Sequence, residues 1–251
     1  MGLRDILEDV SSGELSPEEA QARLAGYATT DAGRFDAARE RRRGVPEGIF
    51  APGKTVEEIT VLAGTALETT GRAIVTRIGS EDAADLESAL DGNATYHERA
   101  RCLVAHEPGF EPPEIGATVG IVTGGTADRL PASEAAVIAR EIGASVERVD
   151  DVGVANLTRI VDQLPRLRGM DVLVVAAGRE GALPTVVAGL VSTPVIGLPV
   201  SSGYGFGGDG DAALRGMLQS CTTLSVVNVD AGFVAGTQAG LIARAVADAR
   251  E

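Results

Sequence analysis

The second half of the chain alternates short apolar runs with helical patterns, and this alternation limits the fold more than any other feature. The apolar runs, each of about five residues, lie at Val119–Thr123, Val146–Val149, Val172–Ala177, Pro194–Leu198 and Leu224–Val229. The helical patterns lie at Ala132–Ile142, Val154–Leu167, Leu183–Leu190, Ala212–Ser220 and Gln238–Ala249. Runs without polar alternation are buried on both faces, as in a parallel sheet covered by helices. We therefore predict a doubly wound, flavodoxin- or Rossmann-like α/β domain with a five-stranded parallel sheet.

The first half has a less regular pattern, which predicts a smaller α/β domain. Its first 30 residues predict two short helices, the second capped by Ser16 with Pro17 at the first helical position. Further elements are predicted as helices at 54–67 and Glu81–Leu90 and strands at Ala73–Ile78 and Tyr96–His106. The segment Glu107–Gly116 holds three prolines and two glycines, which is typical of a linker. We place the domains at residues 1–115 and 116–251.

Composition excludes several classes of partner. The net charge of −14 argues against nucleic-acid binding, which needs a basic face. No apolar run reaches about 18 residues, so we expect no membrane span. The acidic N-terminus lacks the apolar core of a signal peptide, and two cysteines fit a reducing compartment, so we expect a cytoplasmic protein. Lys54 is the only lysine beside 21 arginines, which fits either a high-salt environment or a high-GC genome.

Ligands of such sheets bind beyond the carboxyl ends of the strands, so the residues after each strand are the candidate site. Gly124–Asp128 follows the first strand, and such a turn either brings backbone N–H groups to a phosphate or has glycines for steric reasons alone. Glu180, after the third strand, is either a solvated charge or a general base. Ser201–Gly210 contains five glycines in ten residues, a loop that favours close approach to a ligand or to a neighbouring subunit.

Other kinds of catalytic site find little support. The two histidines lie outside the second domain, and no metal-ligand spacing occurs, so we expect no metal site. No Gly-x-Ser-x-Gly follows a strand, which argues against a serine hydrolase. Cys102 is expected to pack in the core. Cys221 ends a predicted helix, where the helix dipole disfavours a thiolate, so it is either core filling or a nucleophile activated by a cationic substrate, a nearby arginine or a base.

Several segments resemble the PurE-related carboxylases, in the LarB branch that begins nickel-pincer-cofactor synthesis. In the second domain they are Val119–Asp128, Val172–Pro184, Pro194–Gly205 and Ala212–Cys221. In the first domain they are Arg43–Glu47, Gly53–Thr55 and Val75–Arg77. The resemblance covers most of the chain from about residue 34.

The resemblance implies carboxylation of the pyridinium ring of nicotinic acid adenine dinucleotide by carbon dioxide, with hydrolysis of the phosphoanhydride to release AMP. It implies that Cys221 is the thiolate and Glu180 the base, and we expect Glu180 to be buried, which would strengthen it as a base. The implied substrate-binding residues are Gly124, Gly125, Thr126, Asp128, Gly178, Arg179, Ser201, Gly203, Tyr204 and Gly205. No tightly bound cofactor is expected, a role for Mg²⁺ stays open, and relatives in the PurE family imply a homo-octamer.

Two departures from the family pattern bear on substrate details. Thr158 and Ala231 stand where the branch usually has His and Asn. A purine-pathway aminoimidazole ribonucleotide carboxylase or mutase is one alternative, but those enzymes carry Ser-Ala-His-Arg where this chain has 150–154 without histidine. The other alternative is a nucleotide-binding module without catalysis.

Overall fold

A computed structural model of the chain describes residues 3–13, 15–90 and 94–250. The chain divides into two compact units, Met1–Glu111 and Pro112–Glu251. The division falls inside the proline-rich segment Glu107–Gly116.

The first unit is built from five helices and six strands among its described residues. The helices are α1 (Leu3–Ser12), α2 (Pro17–Ala25), α3 (Arg39–Arg43), α4 (Val56–Thr70) and α5 (Ser80–Ala89). The strands are β1 (Ala28–Thr30), β2 (Gly33–Phe35), β3 (Ile49–Phe50), β4 (Arg72–Thr76), β5 (Ala94–His97) and β6 (Cys102–His106). Strands β1 and β2 form an antiparallel hairpin, and the other four form a mixed sheet in the order β3-β4-β6-β5.

One predicted strand of this unit is wrong. Tyr96–His106 was expected to be a single strand, but it forms the antiparallel pair β5 and β6, joined by a 3₁₀ turn at Glu98–Ala100. The chain reverses because Arg101 adopts a left-handed backbone conformation, with φ of 50°, and its amide N–H donates to the carbonyl of Glu98. Weak alternation cannot by itself reveal such a turn, since apolar residues flank it on both sides.

Over its described residues, 112–250, the second unit contains six α-helices and five strands. The helices are α6 (Arg129–Ile142), α7 (Thr158–Val161), α8 (Leu164–Leu167), α9 (Ala182–Ala188), α10 (Asp211–Leu218) and α11 (Gly232–Asp248). The strands are β7 (Thr118–Thr123), β8 (Ser145–Val149), β9 (Val172–Ala177), β10 (Val195–Pro199) and β11 (Ser225–Val226). All neighbouring pairs are parallel, in the order β11-β10-β9-β7-β8, which confirms the predicted doubly wound α/β fold.

Both faces of this sheet are covered by helices, as the unbroken apolar runs predict. Every residue of β9 and β10 is buried. Small residues bring α6 and α11 close together on one face: a Cβ added at Gly236 would lie 2.5 Å from the carbonyl oxygen of Ala135. A chain with only 3% aromatic residues therefore fills its core through close backbone approach.

Two predicted elements of this unit are shorter than expected. Val154–Leu167 is not one helix but a 3₁₀ turn followed by α7 and α8, with Pro165 in the first turn of α8. The run Leu224–Val229 contains only the two-residue strand β11, which lies at the edge of the sheet and pairs on one side.

Candidate active site

The strand order fixes where a ligand can enter the second unit. Strand β7 lies between β8 and β9, so the connections that follow β7 and β9 leave the sheet in opposite directions. Such a switch point opens a crevice at the carboxyl ends of the strands. The sequence-based expectation of a site at this edge rests on the same rule.

A cleft of about 530 Å³ lies at this switch point. Residues that follow four different strands line it. They are Gly124, Gly125, Thr126, Ala127, Asp128, Asp151, Gly153, Val154, Ala155, Ala177, Gly178, Arg179, Glu180, Ala182, Leu183, Ser202, Gly203 and Tyr204.

Nine of the predicted substrate-binding and catalytic residues meet in this cleft. They are Gly124, Gly125, Thr126, Asp128, Gly178, Arg179, Glu180, Gly203 and Tyr204. Ser201, Gly205 and Cys221 are not among its lining residues. The amide of Ser201 instead donates to a carboxylate oxygen of Asp230, at 3.0 Å.

Asp128 joins three of the connections that line the cleft. One of its carboxylate oxygens accepts from the Gly125 amide at 2.8 Å, and the other accepts from the Ser202 hydroxyl at 2.9 Å. The Gly178 amide also donates to it. Asp128 is only 6% exposed, and this burial raises the pKa of its carboxyl, an effect that the three hydrogen bonds oppose. Its carboxylate is thus occupied by protein donors and fixes the shape of the cleft.

The glycines of the cleft differ in how much room surrounds them. A Cβ at Gly153 would lie 2.6 Å from the carbonyl oxygen of Gly124, and one at Gly203 would lie 2.6 Å from the amide nitrogen of Arg179. Both glycines therefore allow neighbouring backbones to touch. At Gly125 the nearest atom would be an Asp128 oxygen at 3.7 Å, an ordinary contact. Gly125 leaves space on the cleft side that protein atoms do not fill.

Arg179 and Tyr204 form a stacked pair at the cleft. The guanidinium carbon of Arg179 lies 4.2 Å from the centre of the Tyr204 ring, within the range of a cation–π interaction. Arg179 has a φ of 48°, a left-handed conformation that side chains other than glycine rarely adopt. The prediction placed Arg179 either outward or towards a substrate phosphate, and its side chain is exposed.

The residues after β8 form a wall of the cleft that the sequence-based site did not include. The Thr123 hydroxyl donates to Asp150 and accepts from the amide of Asp151, both at 3.1 Å. Arg148 bonds the same Asp150 oxygen at 3.1 Å. Although burial opposes ionisation, these contacts and the charges of Arg148 and Arg129 hold the pKa of Asp150 below its usual value. Asp151 and Gly153 follow the second strand, so the rule used for the other strands would have found them.

Glu180 lies in the cleft, but the expectation that it is buried is wrong. It is exposed at the start of the turn before α9, after β9. Its backbone carbonyl contacts α10 instead, since a Cβ at Gly216 would lie 2.2 Å from that oxygen.

Cys221 does not share the cleft with Glu180 within one chain, contrary to the predicted crevice. Helix α10 starts at the carboxyl edge and runs about 12 Å towards the amino edge, because β11 must begin there. Cys221 follows this helix and is exposed. Its neighbour Thr222 donates its hydroxyl to the carbonyl of Thr185 at 3.4 Å. Cys102, by contrast, is 0% exposed inside β6.

A second cleft, of about 620 Å³, lies in the first unit. Polar groups there include Thr65 and Thr69, whose hydroxyls donate to carbonyls of their own helix, at 2.9 and 2.6 Å. Those donors are used within α4, so the smaller cleft at the sheet edge is the better candidate for chemistry.

The described residues form neither a metal-binding cluster nor a membrane-spanning helix. Within 3–13, 15–90 and 94–250, no group of three or more His, Cys, Asp or Glu side chains is placed to hold a metal ion. Over the same ranges, every helix is too short or too polar to cross a bilayer.

Comparisons with known proteins agree with the division into two units. Residues 27–107 match the family model of the LarB/PurE-like N-terminal domain, and residues 118–251 match the AIR carboxylase model. An uncharacterized protein of Methanocaldococcus jannaschii is 36% identical over 96% of this chain and 97% of its own length. The N5-carboxyaminoimidazole ribonucleotide mutase of Vibrio cholerae is 30% identical over 50% of this chain and 78% of its own length.

Proposed function

The chain belongs to the AIR carboxylase family, in the branch with a LarB/PurE-like N-terminal domain, and we propose that it carboxylates the pyridinium ring of nicotinic acid adenine dinucleotide. The proposed products are pyridinium-3,5-biscarboxylic acid mononucleotide and AMP, as the first step of nickel-pincer-cofactor synthesis. The match of residues 27–107 carries this proposal, because it separates the chain from a family member that consists of the carboxylase domain alone.

In the proposed chemistry, the pyridinium ring must first accept a nucleophile before it can react with carbon dioxide. A pyridinium ring is electrophilic, so it cannot attack carbon dioxide. Addition of a thiolate forms a carbon–sulfur bond and turns the ring into a neutral enamine, whose neighbouring carbon attacks carbon dioxide. A base then removes the proton from that carbon, the carbon–sulfur bond breaks, and the thiolate leaves with its electron pair as aromaticity returns. Separately, water cleaves the phosphoanhydride and releases AMP.

Glu180 is the proposed base. It lies in the cleft beside Gly178 and Gly203, where two backbones approach closely and leave the carboxylate open to a ligand. Solvent reaches the carboxylate in the chain without substrate, so the bound substrate itself must exclude water during proton transfer.

Cys221 is the proposed nucleophile, on the family resemblance of Ala212–Cys221. Because it lies outside the cleft of its own chain, we place in each cleft the Cys221 of a second copy of the chain. A homo-oligomer is then part of the proposed mechanism.

Mixing the Cys221→Ser and Glu180→Gln variants under conditions that exchange subunits should restore turnover, since some clefts regain both groups. If turnover does not recover although the subunits exchange, Cys221 does not act in the cleft of a second copy.

The direct test is incubation of the protein with nicotinic acid adenine dinucleotide and bicarbonate, followed by mass spectrometry. We expect the dicarboxylated mononucleotide and AMP in equal amounts. Parallel reactions with added Mg²⁺ and with EDTA decide whether anhydride cleavage uses the ion. Absence of both products from a folded protein would overturn the proposal.

Matched cysteine variants test the nucleophile. Cys221→Ser should lose turnover at least 100-fold, because a hydroxyl is a far weaker nucleophile at neutral pH and a worse leaving group. The other cysteine, Cys102, lies in the core of the first unit, and Cys102→Ser should keep turnover in the fraction that folds. If Cys221→Ser keeps one tenth of the wild-type rate or more, Cys221 is not the nucleophile.

The Glu180→Gln variant tests the base. It should accumulate an adduct of substrate on Cys221, visible by intact-protein mass spectrometry, because the thiolate still adds to the ring but the ring proton is not removed.

A purine-pathway carboxylase or mutase is the second candidate, favoured by the similarity to the Vibrio cholerae mutase. No histidine is among the residues that line the cleft. Aminoimidazole ribonucleotide in the same assay separates the two: carboxylation of that substrate, without reaction of the dinucleotide, would support this candidate.

A further inference from the structure

Tyr204 is unusual among the aromatic residues of this chain in its exposure and its position. Its side chain is 77% exposed, although it lines the cleft and follows a fully buried strand. A tyrosine ring on a glycine-rich loop loses little entropy when a flat group stacks on it, since it has only two rotatable side-chain bonds. Exposure at the mouth of a cleft therefore marks Tyr204 as a stacking surface.

The Arg179 guanidinium already covers one face of this ring. Its carbon lies 4.2 Å from the ring centre, and among the described residues no carboxylate pairs with it. The backbones of the two loops are held together beneath the pair, because Gly203 packs against the Arg179 amide. The ring thus offers a free face or edge next to an unneutralised positive charge.

This arrangement discriminates between the two rings of the proposed substrate. A pyridinium is a cation, and a cation on Tyr204 would be repelled by Arg179 while sharing the same ring electrons. Adenine is neutral and stacks without that repulsion. The guanidinium N–H groups also remain able to bind phosphate oxygens next to the adenosine.

The Glu180 carboxylate, which also lines the cleft, favours the opposite ring. A pyridinium is attracted to this carboxylate, whereas adenine gains nothing from it. The other acidic side chain of the cleft wall, Asp151, is already paired with Arg159 at 3.3 Å. The cleft therefore offers a positive group beside the Tyr204 ring and a negative group at Glu180.

We propose that Tyr204, backed by Arg179, is the stacking platform for the adenine of the dinucleotide, and that the pyridinium ring lies towards Glu180. This orientation rests on the proposed function. It would make the platform the subsite that AMP occupies before it leaves.

The absence of tryptophan from the chain allows a clean optical test. Tyr204→Trp places a single indole at the platform of the full-length protein. We expect saturable quenching of its fluorescence by AMP and by nicotinic acid adenine dinucleotide, and only linear, collisional quenching by nicotinic acid mononucleotide. Phe206→Trp is the matched control, because Phe206 lies in the same loop, is 108% exposed and does not line the cleft. It should show no saturable quenching with any of the three nucleotides.

A second variant tests the role of charge. In Tyr204→Trp with Arg179→Gln, the preference for AMP over the mononucleotide should shrink at least threefold, because the repulsion of the pyridinium is gone. An unchanged preference would overturn the electrostatic part of the proposal. Saturable quenching of Tyr204→Trp by the mononucleotide but not by AMP, or by neither, would overturn the platform.

Kinetics separate this proposal from the proposed reaction. If wild-type protein converts the dinucleotide, Tyr204→Ala should raise its KM about tenfold or more with little change in kcat, and Phe206→Ala should not. A KM for Tyr204→Ala within twofold of the wild-type KM would contradict stacking of adenine on Tyr204, and it would leave the proposed carboxylation unaffected. If wild-type protein makes no product but AMP still quenches the tryptophan fluorescence of Tyr204→Trp saturably, the adenine subsite is supported and the proposed reaction is wrong.

Discussion

Two glycine-containing connections lie at the same edge of the parallel sheet, yet they are built in different ways. The turn Gly124–Asp128 after β7 closes around a buried carboxylate that binds three protein donors. The loop Ser201–Gly210 after β10 is held at its two ends: near its start Ser202 bonds Asp128 and Gly203 packs on Arg179, and at its end Gly210 packs on Val229. Its tip carries two highly exposed aromatic side chains.

The contrast between these two connections shows that glycine content alone does not identify a ligand contact. Gly203 is needed because another backbone touches it, whereas Gly125 has space around it and faces the cleft. One glycine therefore supports the fold, and the other leaves room for a ligand. Substitutions can tell these two roles apart.

The largest expected effect is loss of stability at Gly203. Gly203→Ala would place a Cβ 2.6 Å from the Arg179 amide nitrogen, so the two loops must separate. We expect a loss of about 1–3 kcal/mol in the free energy of unfolding, the usual range for overpacking. Denaturant unfolding checks it. Gly205→Ala is the control: no atom lies within 4 Å of its Cβ, although its φ of +92° adds some strain. If both variants lose equal stability, the close contact at Gly203 does not matter.

The Asp128→Asn substitution should have the second-largest effect, a loss of stability together with a looser glycine-rich loop. The amide keeps the size of the side chain but offers one acceptor oxygen where the carboxylate offers two, and its NH₂ group faces the Gly125 amide or the Ser202 hydroxyl. A buried donor left without a partner costs about 1–3 kcal/mol. We also expect chymotrypsin to cleave faster after Tyr204 and Phe206, because Ser202 loses its anchor. Unchanged cleavage and stability would mean that the hydrogen bonds do not hold the loop.

Gly125→Val should change substrate binding and leave stability intact. The backbone there is extended, with φ of −141° and ψ of 175°, which valine adopts readily. The added side chain points into space that the ligand needs, so KM for the dinucleotide should rise about tenfold, or about 1.4 kcal/mol.

Gly79→Val is a matched control for that experiment. Its Cβ would also lie 3.7 Å from an aspartate oxygen, that of Asp82, but Gly79 lies in the first unit. Its KM should equal that of wild type. A strongly lowered melting temperature in Gly125→Val would instead support a purely steric role for this glycine.

The smallest expected effect is a pH dependence of stability at Asp128. Because its folded-state pKa is raised, mainly by burial, the folded protein holds this proton more tightly than the unfolded chain. The stability that protonation provides is therefore present below the unfolded pKa, near 4, and is lost as pH rises through the folded pKa. Asp128→Asn removes this dependence, so the stability gap between wild type and variant should narrow as pH rises. A gap that widens would show that the carboxyl pKa is lowered.

The sequence predicted the parts of the fold that depend on burial. Val172–Ala177 was predicted residue for residue, because a strand covered on both faces must be apolar throughout. The edge strand β11 was overestimated, since only Ser225–Val226 form the strand, although the amide of the buried Val227 still donates to the carbonyl of Gly197. Arg101 shows a different limit, as an arginine in a left-handed turn carries no composition signal.

The candidate cleft could be predicted as far as topology reaches. The rule that ligands bind at the carboxyl edge selected Gly124–Asp128, Gly178–Glu180 and Tyr204, and these residues line one cleft. The same rule applies to Asp151, which was not selected because no glycine pair accompanies it. The separation of Cys221 from Glu180 could not be predicted from the sequence, because it depends on the direction in which α10 runs. Cys221 is close to the glycine-rich loop along the chain, but α10 carries it away from the cleft.

The hydrogen bond between Ser202 and Asp128 also has a consequence for the order of folding. It joins residues 74 positions apart, and Ser202 follows β10, the fourth strand of the unit along the chain. On a ribosome, β7 and its turn are therefore complete long before their partner is synthesised. Such non-local contacts in parallel sheets form slowly. The carboxylate of Asp128 therefore stays exposed to water until β10 docks beside β9, and the cleft is consequently among the last features of the nascent chain to close.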